Sequence, residues 1–135
     1  MAYGFSAVLP LQKSEEDGFY ALTKNLAENT KQNFKNLLLT TPGERVMIPN
    51  FGVGLRRYLF EIPARSADHV KAEIHSKIIE QLRLYMPFVK LVNIEFFEED
   101  PRFTGHANAL AMKIFYSISR IGASDSITVS NAKVI

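Results

Sequence analysis

Apolar residues recur at steps of three and four from Val70 through Ile74, Ile78 and Leu82 to Tyr85, with Ile79 and Met86 widening the stripe. That spacing predicts the strongest helix of the chain, a rod of roughly 30 Å that can lie across a small sheet. Ile62-Pro63-Ala64-Arg65 breaks the chain before it, Ser66 is placed to cap it, Asp68 suits its positive end, and Pro87 stops it. The period then changes to two. Val92, Ile94 and Phe96 alternate with Asn93, Glu95 and Phe97, and Leu110, Met112, Ile114, Tyr116 and Ile118 alternate with Ala109, Ala111, Lys113, Phe115 and Ser117. A polar loop from Glu98 to His106 joins these runs, so they predict an antiparallel hairpin with one buried face. Gly122 to Ser126 reads as a further turn, after which Ile127-Thr128-Val129 begins a short extended segment ending at Val134-Ile135. Nearer the start, Phe19 to Leu22 predicts a short strand. Ala27 to Leu39 predicts a helix that turns Phe34, Leu37 and Leu38 inward, with Asn25 or Asn29 as its cap. The expected fold class is α+β: a small antiparallel sheet with one long helix and shorter helices packed on it.

The stretch from Leu37 to Glu61 places two prolines and three glycines between two apolar runs. Thr41-Pro42-Gly43 stops the preceding helix, because proline disfavours the helical region for its predecessor and glycine accepts positive φ. Val46-Met47-Ile48, bounded by Glu44-Arg45 and Pro49-Asn50, predicts a buried extended crossing. Gly52 and Gly54 permit close backbone approach, and Leu55, Tyr58 and Leu59 resume a helical stripe.

Composition narrows the function. A chain of 135 residues with 47% hydrophobic and 22% charged positions is one ordinary globular domain. Without cysteine it has neither disulfides nor thiolate metal ligands. Its beginning lacks a basic region followed by an apolar one, and no apolar run approaches the ~20 residues of a membrane span. A formal charge of +2 with scattered Lys and Arg argues against a nucleic-acid partner.

Catalytic chemistry finds little purchase. A glycosidase needs two carboxylates about 5–10 Å apart across a sugar site. The candidates here are the turn charges Glu15, Glu16 and Asp17, the loop from Glu95 to Asp100, and Glu44, which beside Arg45 reads either as a structural pair or as a contact with a partner. His69 and His75 are six apart, on opposite faces of a helix, and His106 stands alone. Ser66, Ser76, Ser117 and Ser119 have no histidine at a motif spacing. Gly52-Val53-Gly54 before Arg56-Arg57 lacks the third glycine and the Lys-Ser/Thr of phosphate loops and reads as a packing turn.

Thr40, Gly43-Glu44-Arg45, Pro49-Asn50-Phe51-Gly52 and Leu59-Phe60 form an ordered string. It resembles the signature of the contractile-tail baseplate wedge family, the baseplate protein W-like or sheath initiator proteins of phages, which are related to a type VI secretion baseplate component. The likeness spans roughly residues 18 to 120. It implies a fold like the sheath subunit's interlocking domain over residues 18–135, preceded by an arm and loop over residues 1–17. It also implies a non-enzymatic part of the virion tail baseplate, assembled in the host cytoplasm, that docks on the wedge bundle and initiates sheath polymerisation. Implied partners are the larger wedge proteins, the tail sheath subunit and central hub or tube proteins, with no cofactor, nucleic acid, membrane or small-molecule substrate. Family members often carry Glu-Pro-Arg where the long helix ends, and Met86-Pro87-Phe88 stands there instead. Either the partner surface is apolar at that point, or docking relies on Glu44, Arg45 and the loop holding Pro49, Asn50, Phe51 and Gly52. Ile127 and Val129, on the last extended run, and the apolar arm before Ser14 are candidates for strand exchange or docking. A regulatory anti-adaptor similar to the same family is the alternative function, and an acid glycosidase, a label some members have carried, comes third.

Overall fold

The computed structural model describes residues 4–61, 67–98 and 110–130. The chain divides into two compact units, Met1–Lys35 and Asn36–Ile135. Helix α1 (Leu26–Leu39) runs through the boundary between them. The breaker Ile62 to Arg65, the cap Ser66, the loop after Glu98 and the end at Val134-Ile135 lie outside the described residues.

In the first unit the expected strand at Phe19 to Leu22 is not formed. An irregular antiparallel ribbon stands in its place, with only isolated bridges between Ala7 and Leu22 and between Lys13 and Tyr20. Polar side chains hold it. Ser6 Oγ donates to Asn29 Oδ1 (2.6 Å), Gln32 Nε2 donates to the Ala7 carbonyl (2.9 Å), and the Leu9 N–H donates to Gln32 Oε1 (3.0 Å). Asn25 is the cap, accepting the Ala27 N–H at 2.9 Å, because Asn29 is taken up by Ser6 and Thr23. Lys24 and the Leu22 N–H hold the Asp17 carboxyl below the usual carboxylate range.

The second unit contains α2 (Leu55–Glu61), α3 (Ala67–Tyr85), β1 (Val89–Glu98), β2 (Leu110–Ile118) and β3 (Ala123–Ser130). The strands form an antiparallel sheet in the order β1-β2-β3, as an α+β fold requires. Val70, Ile74, Ile78 and Leu82 are buried along one face of α3, the stripe that the periodicity predicts. α3 packs on β1, and α2 against β3. Ile94, Ile114 and Ile127 sit opposite one another across the three strands and are all buried, forming the middle row of the sheet's inner face.

Two strand expectations change. Val92 was expected to share a face with Ile94, yet it is exposed while Ile94 is buried. A bulge between Leu91 and Asn93 leaves Val92 without an opposite residue, and one extra residue inverts the alternation on either side of it. β3 begins at Ala123, because Ser119 to Gly122 make the turn; its first half, Ala123-Ser124-Asp125-Ser126, carries no large apolar residue to mark it as strand.

Tyr116 is buried on the central strand opposite Asp125. Burial, and secondarily the Asp125 charge, push its hydroxyl well above the ordinary tyrosine range. A folded-state pKa above the unfolded value contributes stability that is complete below about pH 10 and is lost as pH rises beyond it. Urea titrations of the protein and of Tyr116→Phe should therefore diverge above about pH 10, with the parent losing stability faster; parallel slopes would refute the assignment.

Candidate functional site

Residues 40–54 form the loop between α1 and α2, and the backbone closes it twice. The Val53 N–H donates to the Leu37 carbonyl and the Gly54 N–H to the Thr40 carbonyl, each at 3.0 Å, which satisfies carbonyls that the end of α1 leaves open. Further out, the Gly43 N–H donates to the Pro49 carbonyl at 2.7 Å, and Glu44 Oε2 accepts the Thr41 N–H at 3.0 Å. Gly52, at φ 113°, runs so close to α1 that a Cβ there would stand 2.0 Å from the Thr40 oxygen.

A second clamp comes from α3. Gln81 is buried, and its side-chain amide fits the loop backbone from both sides: Oε1 accepts the Gly52 N–H and Nε2 donates to the Asn50 carbonyl, both at 3.0 Å. Phe51 then meets Tyr85 edge-on at 4.9 Å, and the Arg45 guanidinium lies over the Phe51 ring, 4.0 Å from its centre. Replacing Gln81 by Leu should cost about 2 kcal/mol, the usual penalty for a buried donor left unmatched, and should raise amide exchange at Gly52. Unchanged exchange there would show that the clamp holds nothing.

This framework overturns the expected burial of Val46-Met47-Ile48. Val46 and Met47 are 93% and 91% exposed and stand at the apex of the loop; Ile48 is 42% exposed. The hairpin closure between Gly43 and Pro49 turns the short apolar run outward, where the pattern alone suggested a crossing through the core. Two large apolar side chains held in water on a braced loop are the most exposed large hydrophobic residues among those described.

The other site residues fall into two groups. Glu44, Arg45, Pro49 and Asn50 are exposed, and Phe51 is half-buried. Glu44 and Arg45 do not form the pair that their adjacency suggested: one serves the Thr41 N–H, the other the Phe51 ring. Pro87 is exposed and Phe88 half-buried, and the Phe51–Tyr85 contact brings them to the same end of α3 as the loop. By contrast Met86, Ile127 and Val129 are buried side chains of the unit's own core, so none offers its side chain to a neighbour. β3 is nonetheless terminal in the sheet, and its outer main-chain edge pairs with no strand among the described residues. Gly52 is buried and contributes backbone alone.

Sequence reading missed Gln81, which looks like any polar residue on a helix; only its place three positions after Ile78 and seven after Ile74, on the buried face, hinted at burial. Of the carboxylates considered for hydrolysis, Glu15, Glu16, Glu44 and Glu95 are exposed, Asp17 is taken up by Lys24, and Glu99 and Asp100 lie outside the described residues; no group of three metal-ligating side chains occurs among the described residues. No helix among them is long and apolar enough to cross a membrane.

A family model described as Baseplate wedge protein gp25 matches residues 24–122, most of the chain, which belongs to that family. Among solved structures the fold is similar to a chain of the anti-feeding prophage baseplate, determined by cryo-electron microscopy, with 26% identity and a TM-score of 0.64 over 84% of this chain and 83% of that one. It is also similar to a protein from Geobacter sulfurreducens provisionally called a tail lysozyme, with 21% identity and a TM-score of 0.60 over 83% of this chain and 95% of that one. At that identity the second likeness speaks for the fold alone. No curated protein matches the chain. The protein is therefore a structural component of a contractile-tail baseplate and works in contact with other baseplate proteins.

Proposed function

We propose that this chain is a non-enzymatic wedge part that docks on the larger wedge proteins through the loop bearing Val46 and Met47, and that its sheet receives the first sheath subunits. The braced, exposed apolar apex carries the docking half of this reading. Burial of two such side chains on a partner would contribute roughly 3–5 kcal/mol before the costs of association, enough to anchor an interface already seated by other contacts. The initiating half rests on the outer edge of β3, whose main-chain groups can accept a strand.

The test is assembly in the producing cell. A chain carrying Val46→Asp and Met47→Asp should fold, since both side chains are outside the core, yet be absent from purified baseplates, leaving tubes without sheath. Arg45→Glu should weaken incorporation in the same direction. Normal tails from the double variant would remove the docking surface. Recovery of a response regulator instead of wedge or sheath proteins, in a pull-down from tail-producing cells, would replace this reading with the anti-adaptor one.

A further inference from the structure

The C-terminal end of α3 carries a second guanidinium laid on an aromatic ring. Arg120, in the turn between β2 and β3, lies 5.6 Å from the centre of the Phe88 ring. That turn is fastened in place, because both the N–H and the hydroxyl of Ser119 donate to the Phe88 carbonyl at 3.0 Å. Arg45 on Phe51 is the counterpart, and Phe51 touches Tyr85, three residues before Phe88. Two arginines distant in sequence are thus each steadied over a ring at one end of one helix. Arg83 and Lys90 are exposed on the walls of a groove of about 400 Å3 that Pro87 also lines.

Cations predominate at this end, since Glu80, beside Arg83 on the same helix, is paired with Lys77. None of Arg45, Arg83, Lys90 and Arg120 is ion-paired among the described residues, and the acidic group of the loop, Glu44, is engaged by the Thr41 N–H. Exposed apolar groups accompany them: Val46, Met47 and, next to Arg120, Ile121. A guanidinium stacked on a ring has already lost much of its rotamer freedom, yet keeps its N–H fork available for a carboxylate, so little more is lost when a partner arrives.

We infer that Arg120 acts with Arg45 as the cationic part of the docking surface, and that the partner surface is an apolar patch edged with Asp or Glu carboxylates on another baseplate protein. This rests on the docking role proposed above and adds the partner's chemistry and a residue outside the signature loop. Charge complementarity favours such a partner: an uncharged patch would leave Arg45 and Arg120 unmatched at the contact, and a basic one would repel them.

Tails purified from producing cells that carry Arg120→Glu, Arg120→Lys or the Val46→Asp/Met47→Asp pair separate the possibilities. Arg120→Glu should lower incorporation by about tenfold or more, the effect of reversing one interfacial charge pair, with an unchanged melting temperature. Arg120→Lys should retain most of it, and an Asp or Glu to Lys change in a second baseplate protein should restore Arg120→Glu. If Arg120→Glu shifts the melting temperature, Arg120→Gln serves instead, and its incorporation should also fall. Full incorporation of the Arg120 variants alongside loss of the Val46/Met47 pair would overturn the acidic partner and leave the docking loop standing. Full incorporation of every variant would overturn both. Sedimentation with phosphatidylglycerol vesicles that is lost in Arg120→Glu would also overturn it, by assigning the surface to lipid.

Discussion

Gly52→Ala is expected to be the most damaging single change in the loop between α1 and α2, lowering the free energy of unfolding by about 3–4 kcal/mol. Two causes add. At φ 113° an L side chain is strained, a cost of roughly 1–3 kcal/mol. In addition the new Cβ would stand 2.0 Å from the Thr40 oxygen and 2.7 Å from its carbonyl carbon, and neither backbone atom can swing aside like a side-chain end. Relief requires the two strands of the loop to separate. That pulls the Gly52 N–H from Gln81 and the Gly54 N–H from Thr40, and a buried donor left unmatched costs about 1–3 kcal/mol. Urea denaturation checks the magnitude, and amide exchange at Gly54 checks the cause. A loss below about 1 kcal/mol would mean that the close approach is not obligatory. Since the same backbone presents Val46 and Met47, the variant should also be poorly incorporated into baseplates even at temperatures where it is folded.

Ile78→Ala should be about as destabilising, by roughly 3–5 kcal/mol, for a different reason and with a different signature. Ile78 is fully buried in the middle of α3's inner stripe, between Ile74 and Leu82. Removing three carbons there leaves a cavity that a helix fixed by its neighbours on both sides cannot close. The loss is therefore global: the midpoint falls, while amide exchange at Gly52 and Gly54 slows or quickens only with overall unfolding. Where folded, this variant should enter baseplates normally, because the apex and the arginines are untouched. The pair of substitutions thus separates stability from docking. A selective loss of loop protection in Ile78→Ala would show that the core row and the loop are one cooperative unit.

Much of the second unit was readable in its periodicities, because a long amphipathic helix or a half-buried strand must repeat its apolar residues at a fixed step. α3 emerged with its stop at Pro87 and its inner stripe from Val70 to Leu82, although Ile79, expected to widen the stripe, faces solvent, and β2 alternates as expected. The turn glycines were legible too, since Gly43, Gly52 and Gly54 all have positive φ where the chain reverses. The apolar triplet Val46-Met47-Ile48 misled, because three apolar residues bounded by polar ones do not record whether the chain passes through a core or turns back over it. Val92 misled because a bulge adds one residue to the count without any mark in composition. The ribbon near Phe19 reads as a strand in sequence because exposed aromatic residues and buried strand residues are the same residue types.

The sequence by itself determined the class of fold, the order of the elements, the places where the chain must turn and, through the ordered string from Thr40 to Phe60, the family. These depend on neighbours within a few positions, whose preferences are local. Tertiary structure alone decided what the candidate surface is. Gln81 reaches Asn50 and Gly52 across about thirty positions of chain, Tyr85 supports Phe51, and Arg120 comes to rest on Phe88. Each is a pairing between segments that only packing of helix on sheet brings together. The same packing leaves Val46 and Met47 in water, because the core was already filled by side chains from α3 and the sheet.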